Sequence, residues 1–169
     1  MPYTTWNGPA PTTAAQASVT TGTAIKTMLQ VATPSTRQIQ IIEWGFSLDD
    51  PPGADGVVEL IDTNIAATVT AHVASGIINL DPNGVASLCV GGTSATGYTA
   101  TVEGSITATR PLDVVSLSSV SGESGLSYVR TFMPDDRPII AVSRFLRVRA
   151  TTPTTAADMR CFITFQEVG

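Results

Sequence analysis

The chain has 169 residues, enough for one domain with a core of its own, and its 43% hydrophobic content is that of a globular protein. Charged residues make up 14%, well under the roughly 25% of an average soluble domain. A formal net charge of −5 argues against a general nucleic-acid binder, whose affinity rests on neutralising phosphates, and no apolar run approaches the ~18 residues that a membrane span needs.

Residues 1–22 read as an extended arm. Asn7-Gly8-Pro9-Ala10-Pro11-Thr12-Thr13 carries turn formers and no hydrophobic period, so it offers nothing to a core by itself. Tyr3 and Trp6 near its tip need a surface to bury against, either this domain or a neighbour. Met1 to Trp6 has neither the basic nor the apolar region of a secretory signal, so the expected site of synthesis is a cytoplasm.

From residue 23 to the end, strands and turns alternate, and the expected domain is an antiparallel β-sandwich, jelly-roll-like, over 23–169. Ile25, Thr27, Leu29 and Val31 alternate with Lys26, Met28 and Gln30, and Thr33-Pro34-Ser35 stops that strand. Gln38 to Leu48 is a long strand with Ile42, Trp44, Phe46 and Leu48 on one face. Ile39 and Ile41 fall on the other, so the pattern requires a bulge or burial on both faces. Asp49 to Gly56 is a loop, and a strand follows over Val57 to Asp62.

Ala67–Val73 and Gly76–Leu80 read as either short strands or irregular chain, one helical turn fits between Pro82 and Leu88, and further strands are expected over Thr99–Thr109, Leu112–Val120 and Leu126–Met133. Ser121-Gly122-Glu123-Ser124-Gly125 is the turn before the strand at Leu126. Ile139 to Ala150 reads as one long strand, and Met159 to Glu167 as the last. In the last strand Met159, Cys161, Ile163 and Phe165 share a face.

Residues that carry chemistry are scarce. His72, the sole histidine, has no Cys or second His near it in sequence to make a metal site, so it is expected to be structural. Asp49, Asp50 and Asp55 offer clustered carboxylates, but Pro51-Pro52 breaks the spacing of calcium loops. Asp135 or Asp136 is expected to pair with Arg137 or Arg130. Cys89 and Cys161 are expected to be buried free thiols. No catalytic residue, cofactor or metal is expected.

Lys26 is the sole lysine, and Arg130, Arg137, Arg144, Arg147, Arg149 and Arg160 crowd the end of the chain. Arginine tolerates protein interfaces, being planar and weakly hydrated. Arg144, Arg147 and Arg149 are therefore candidate interface residues with Tyr3 and Trp6; the other reading makes them solvated strand faces.

Several of these strands resemble a known family. Ile25-Lys26-Thr27-Met28-Leu29-Gln30, Ile41-Ile42-Glu43-Trp44-Gly45-Phe46-Ser47, Thr93-Ser94-Ala95-Thr96-Gly97-Tyr98 and Ala141-Val142-Ser143-Arg144-Phe145-Leu146-Arg147 are similar to the small capsid decoration proteins of tailed bacteriophages that infect actinobacteria. The resemblance implies a non-enzymatic virion protein on the capsid exterior that binds the major capsid protein and itself, as a homotrimer, and so stabilises the lattice. It implies no nucleic-acid or membrane partner. The competing reading is the carbohydrate- or receptor-binding head of a phage fibre, with Trp6, Trp44 and Tyr98 stacking on sugar.

Overall fold

The computed structural model describes residues 1–119 and 126–169. The chain is all-β, two antiparallel sheets packed as a sandwich, with no α-helix among the described residues. In chain order the strands are β1 (Pro2–Trp6), β2 (Val19–Thr20), β3 (Lys26–Ala32), β4 (Gln38–Leu48), β5 (Gly56–Thr63), β6 (Thr68–Ala71) and β7 (Ile77–Asn79). They continue as β8 (Gly97–Val102), β9 (Thr109–Leu117), β10 (Ser127–Thr131), β11 (Ile139–Ile140), β12 (Phe145–Thr151) and β13 (Asp158–Val168).

Sheet A runs β10-β4-β13-β1-β7, with β11 added to β4 and β2 to β13, and sheet B runs β6-β8-β3-β12-β5-β9. The chain nests on itself as a jelly roll does: β4 pairs with β13, and β5, the next strand along, pairs with β12. The sheets meet through one continuous core. Sheet A contributes Ile39, Ile41, Trp44, Ile163 and Phe165, and sheet B contributes Leu29, Val31, Leu60, Leu146 and Val148.

The conflict within Gln38–Leu48 resolves as a bulge. Thr164 pairs with Glu43 and Phe165 with Ile41, so Ile42 is the extra residue in β4. The slip flips the alternation, which lets Ile39 and Ile41 point inward with Trp44, Phe46 and Leu48.

Three expectations are corrected. Residues 1–22 are not an arm throughout. Tyr3 is buried, and β1 lies inside sheet A between β13 and β7, pairing Tyr3 with Phe165 and with Asn79. Asn7 carries that alignment one residue further: its Nδ2 donates to the Met159 carbonyl at 2.9 Å and its Oδ1 accepts from the Cys161 amide at 2.8 Å. Five residues with two threonines show too little apolar pattern to announce a strand, and pairing on both sides supplies what propensity does not.

The expected strand over 139–150 divides between the sheets. β11 joins β4 in sheet A, Ser143 takes a positive φ of 56°, and β12 begins in sheet B. The helical turn expected over Pro82–Leu88 is instead a single turn at Pro82–Asn83, closed by the Gly84 amide on the Asp81 carbonyl, followed by irregular chain. The turn over 121–125 lies outside the described residues. Cys89 and Cys161 are free and buried, as expected.

Candidate interaction surface

The five candidate interface residues take unequal positions. Tyr3 belongs to the core, its ring 5.8 Å from that of Phe165, and its hydroxyl donates to the Val85 carbonyl. Arg147 is 0% exposed. Its guanidinium donates to the Glu103 carbonyl at 3.0 Å, to the Glu103 carboxylate at 3.3 Å and to the Ile65 carbonyl. Glu103 in turn accepts from the amide and hydroxyl of Thr27. An outward-facing arginine in β12 is thus roofed by the segments that follow β5 and β8, and neither it nor Tyr3 is available to a partner.

Arg149 pairs with Glu59 at 2.5 Å and Arg144 with Asp62 at 2.8 Å, and both side chains are largely covered. Arg130 pairs with Asp113, not with Asp135 or Asp136. The C-terminal arginines are chiefly internal fasteners. Arg149 and Glu59 are register partners on adjacent strands, where two-donor pairing fits, while Arg130 reaches Asp113 on the opposite sheet and Arg147 reaches Glu103 beyond β3.

Trp6 does reach the surface. On the outer face of sheet A, the register aligns Trp6, Phe162, Gly45 and Val129 in one row across four strands. The rings of Trp6 and Phe162 lie 4.9 Å apart. A side chain on Gly45 would strike Phe162, Val129 and the Tyr128 carbonyl, so the absence of one there lets its neighbours close over the strand. Beside this row is a groove of about 190 Å³ whose walls include Trp6, Phe162, Val129 and Arg160. Arg160 is held by Asp49 at 2.7 Å and by the Gln16 carbonyl at 3.0 Å.

A second surface lies at the end where β6 and β7 form the open edges of the two sheets. Val73, Val85 and Val90 are 66%, 72% and 67% exposed, with Leu80 and Leu88 exposed beside them. Val90 lines a hollow of about 220 Å³ with His72, Ile77, Ala86 and Cys89 among others, and Val73, Val85 and Leu88 are chain neighbours of its lining residues. The loop that carries them is pinned. The Glu167 carboxylate accepts from the Ser87 hydroxyl at 2.6 Å and the Leu88 amide at 2.7 Å, and Asn79 donates to the Val85 carbonyl at 2.6 Å. Gly91 packs against the backbone of His72 so closely that any side chain there would collide with its carbonyl.

The polar groups of the hollow are held neutral. His72 places Nε2 2.8 Å from the Trp6 carbonyl, packs its ring at a tilt of 54° and 4.8 Å from that of Tyr98, and has its pKa lowered by burial. Burial also pushes the Cys89 thiol up to about 12, far from the thiolate that a nucleophile requires. Among the described residues no group of three or more potential metal ligands converges.

No family model and no curated protein matches the chain. Among solved structures it is similar to the D431N mutant VP2 protein of infectious bursal disease virus in derived T=1 particles, at 13% identity and a TM-score of 0.19. That alignment covers 99% of this chain and 40% of the other, so the chain spans about two fifths of that protein. At that TM-score the likeness carries no argument.

Sequence reading passed over the end face because single exposed valines are unremarkable in a strand pattern. A signal was nevertheless present. No Lys or Arg occurs between Arg37 and Arg110, and Asp81 is the sole formally charged residue from Val73 to Thr96.

Proposed function

We propose that this chain is a non-enzymatic structural protein of a virion, bound to the outside of a phage capsid, where it joins major-capsid subunits and works as a homotrimer. The observation that carries the reading is the uncharged end face. Large apolar side chains stand exposed around a hollow on a loop tied down by Glu167, Asn79 and the backbone of β1. A rigid frame that keeps apolar area in water is suited to adhesion, because each Å² covered contributes roughly 25 cal/mol and no ordering of the loop is needed on contact. The resemblance of the β3, β4 and β12 segments to capsid decoration proteins supplies the expected partner. Several weak footprints joined in one oligomer release only together, which suits a lattice under internal pressure.

The second reading, a sugar- or receptor-binding fibre head, draws on the Trp6–Phe162 pair beside Arg160. Of the other aromatics it needs, Trp44 is buried in the core and Tyr98 packs on His72. Co-sedimentation separates the two readings. Pelleting with mature capsids of the encoding phage, saturating at a fixed ratio to the major capsid protein, supports decoration. Retention on a glycan array without capsid binding supports the fibre head.

A further inference from the structure

We infer that the end face around Val73, Leu80, Val85, Leu88 and Val90 is a self-association surface, and that its occupant is a second copy of this chain. The inference rests on the adhesive reading above but not on the capsid as partner.

Shape argues for it first. The same face carries both projections and a recess: Val85 stands out at 72% exposure, while the hollow lined by His72, Ile77 and Cys89 opens beside it. Projection and recess on one surface let two copies fill each other's hollow, which is the self-complementarity that closed homo-oligomers need. A two-fold contact uses the face once per copy, and a ring sets the projections of one copy into the recess of the next.

Charge argues for it second. Each copy carries a net charge of −5, so two copies repel wherever their carboxylates face each other. They meet at least cost through a surface without charge. From Val73 to Thr96 that condition holds but for Asp81, and the nearby Glu167 carboxylate is spent on Ser87 and Leu88. A basic partner would gain nothing here and would be drawn instead to the acidic loops. The recess is neutral too, with the His72 imidazole and the Cys89 thiol both uncharged near pH 7.

The test is sedimentation equilibrium of the full chain from about 1 µM to about 1 mM, the range in which a modest apolar contact saturates. The expected result is a closed oligomer that persists in high salt, since screening does not weaken apolar contact. Val85→Asp is expected to raise the dissociation constant roughly thirtyfold or more, as loss of a central anchor does. Val114→Asp, on the exposed edge of β9 away from this face, is expected to leave it unchanged. Circular dichroism and melting of both variants confirm the fold. A monomer throughout the range, association abolished by salt, or association indifferent to Val85→Asp overturns the inference. The capsid reading fails separately: an oligomer that ignores capsids sinks capsid binding alone, and a monomer that binds them sinks this inference together with the homotrimer and leaves capsid binding standing.

Discussion

The indole Nε1 of Trp44 in sheet A donates to Oδ2 of Asp113 in sheet B at 3.0 Å. The same carboxylate oxygen accepts from the Tyr128 hydroxyl at 2.8 Å, and the other oxygen pairs with Arg130 at 3.0 Å. Asp113 reaches inward because β9 slips by one residue opposite Leu60 and Ile61, so that Asp113 pairs with Leu60 and Pro111 with Ile61. One carboxylate on β9 therefore ties two strands of the opposite sheet, β4 and β10.

Asp113→Ala is expected to cost about 2–4 kcal/mol, because it strands the Trp44 indole N–H and takes the partner from the Tyr128 phenol, while the half-exposed Arg130 turns to water. Asp113→Asn keeps acceptor oxygen and is expected to cost less. Urea denaturation checks the order. Equal stability of Asp113→Ala and wild type would show the tie to be idle.

Removal of residues 1–6 deletes β1 from between β13 and β7, uncovers Phe165 and breaks the pairing that runs from Pro2–Gln166 to Trp6–Phe162. The loss is comparable with the whole stability of an average domain, about 5–15 kcal/mol. The truncated chain is expected to lose its cooperative thermal transition in near-ultraviolet circular dichroism. A sharp melt near that of the full chain would contradict the placement of β1.

Arg147 has no route to water. Arg147→Ala is expected to cost about 3–5 kcal/mol, since the Glu103 carboxylate and the Ile65 carbonyl lose their partner. The pair Arg147→Met with Glu103→Gln is expected to recover part of that loss, because no charge is left unmatched. A double-mutant cycle in guanidinium measures the coupling. Strict additivity of the two changes would contradict it.

His72 has its pKa below the ordinary 6.5 because burial disfavours the imidazolium. A depressed pKa means that the unfolded chain takes up the proton first as acid is added. The stability contributed by His72 is present above pH 6.5 and is lost as pH falls through the folded-state value. His72→Gln is expected to flatten the denaturation midpoint between about pH 7.5 and 5, before most carboxylates titrate. An identical pH slope in wild type and variant would contradict this.

Cys89 runs the other way. Its folded pKa of about 12 lies above the ordinary thiol value of 9.0, so its contribution holds below pH 9 and fades as pH rises toward 12. At neutral pH the native chain is expected to resist maleimide at both Cys89 and Cys161 and to react fully once unfolded. Rapid labelling of either thiol in the folded chain would show it to be accessible.

Much of the sandwich was legible in the sequence because most strands announce themselves by alternation. Met159, Cys161, Ile163 and Phe165 share the inner face as their spacing predicts, and β4 matches its expected limits. Where alternation was short, the reading failed. β1 has five residues and its place in sheet A comes from neighbours more than 70 residues away in sequence on either side of the pairing, which no local pattern encodes. The break at Ser143 was hidden because Ile140 and Leu146 keep a common parity while belonging to different sheets. Arginine crowding was visible, but its purpose was not: register brings Glu59 opposite Arg149, whereas Asp62 and Glu103 reach Arg144 and Arg147 only through the tertiary fold. The end face shows in the sequence only as a long absence of cations, and absence has no period to detect.

The proposed capsid role is tested most directly by the copy number of this chain in purified virions, by quantitative mass spectrometry against the major capsid protein. A fixed stoichiometry throughout the lattice, on the order of one copy or one trimer per few capsid subunits, is the expected result. A handful of copies per particle, or none, would contradict a lattice-binding role.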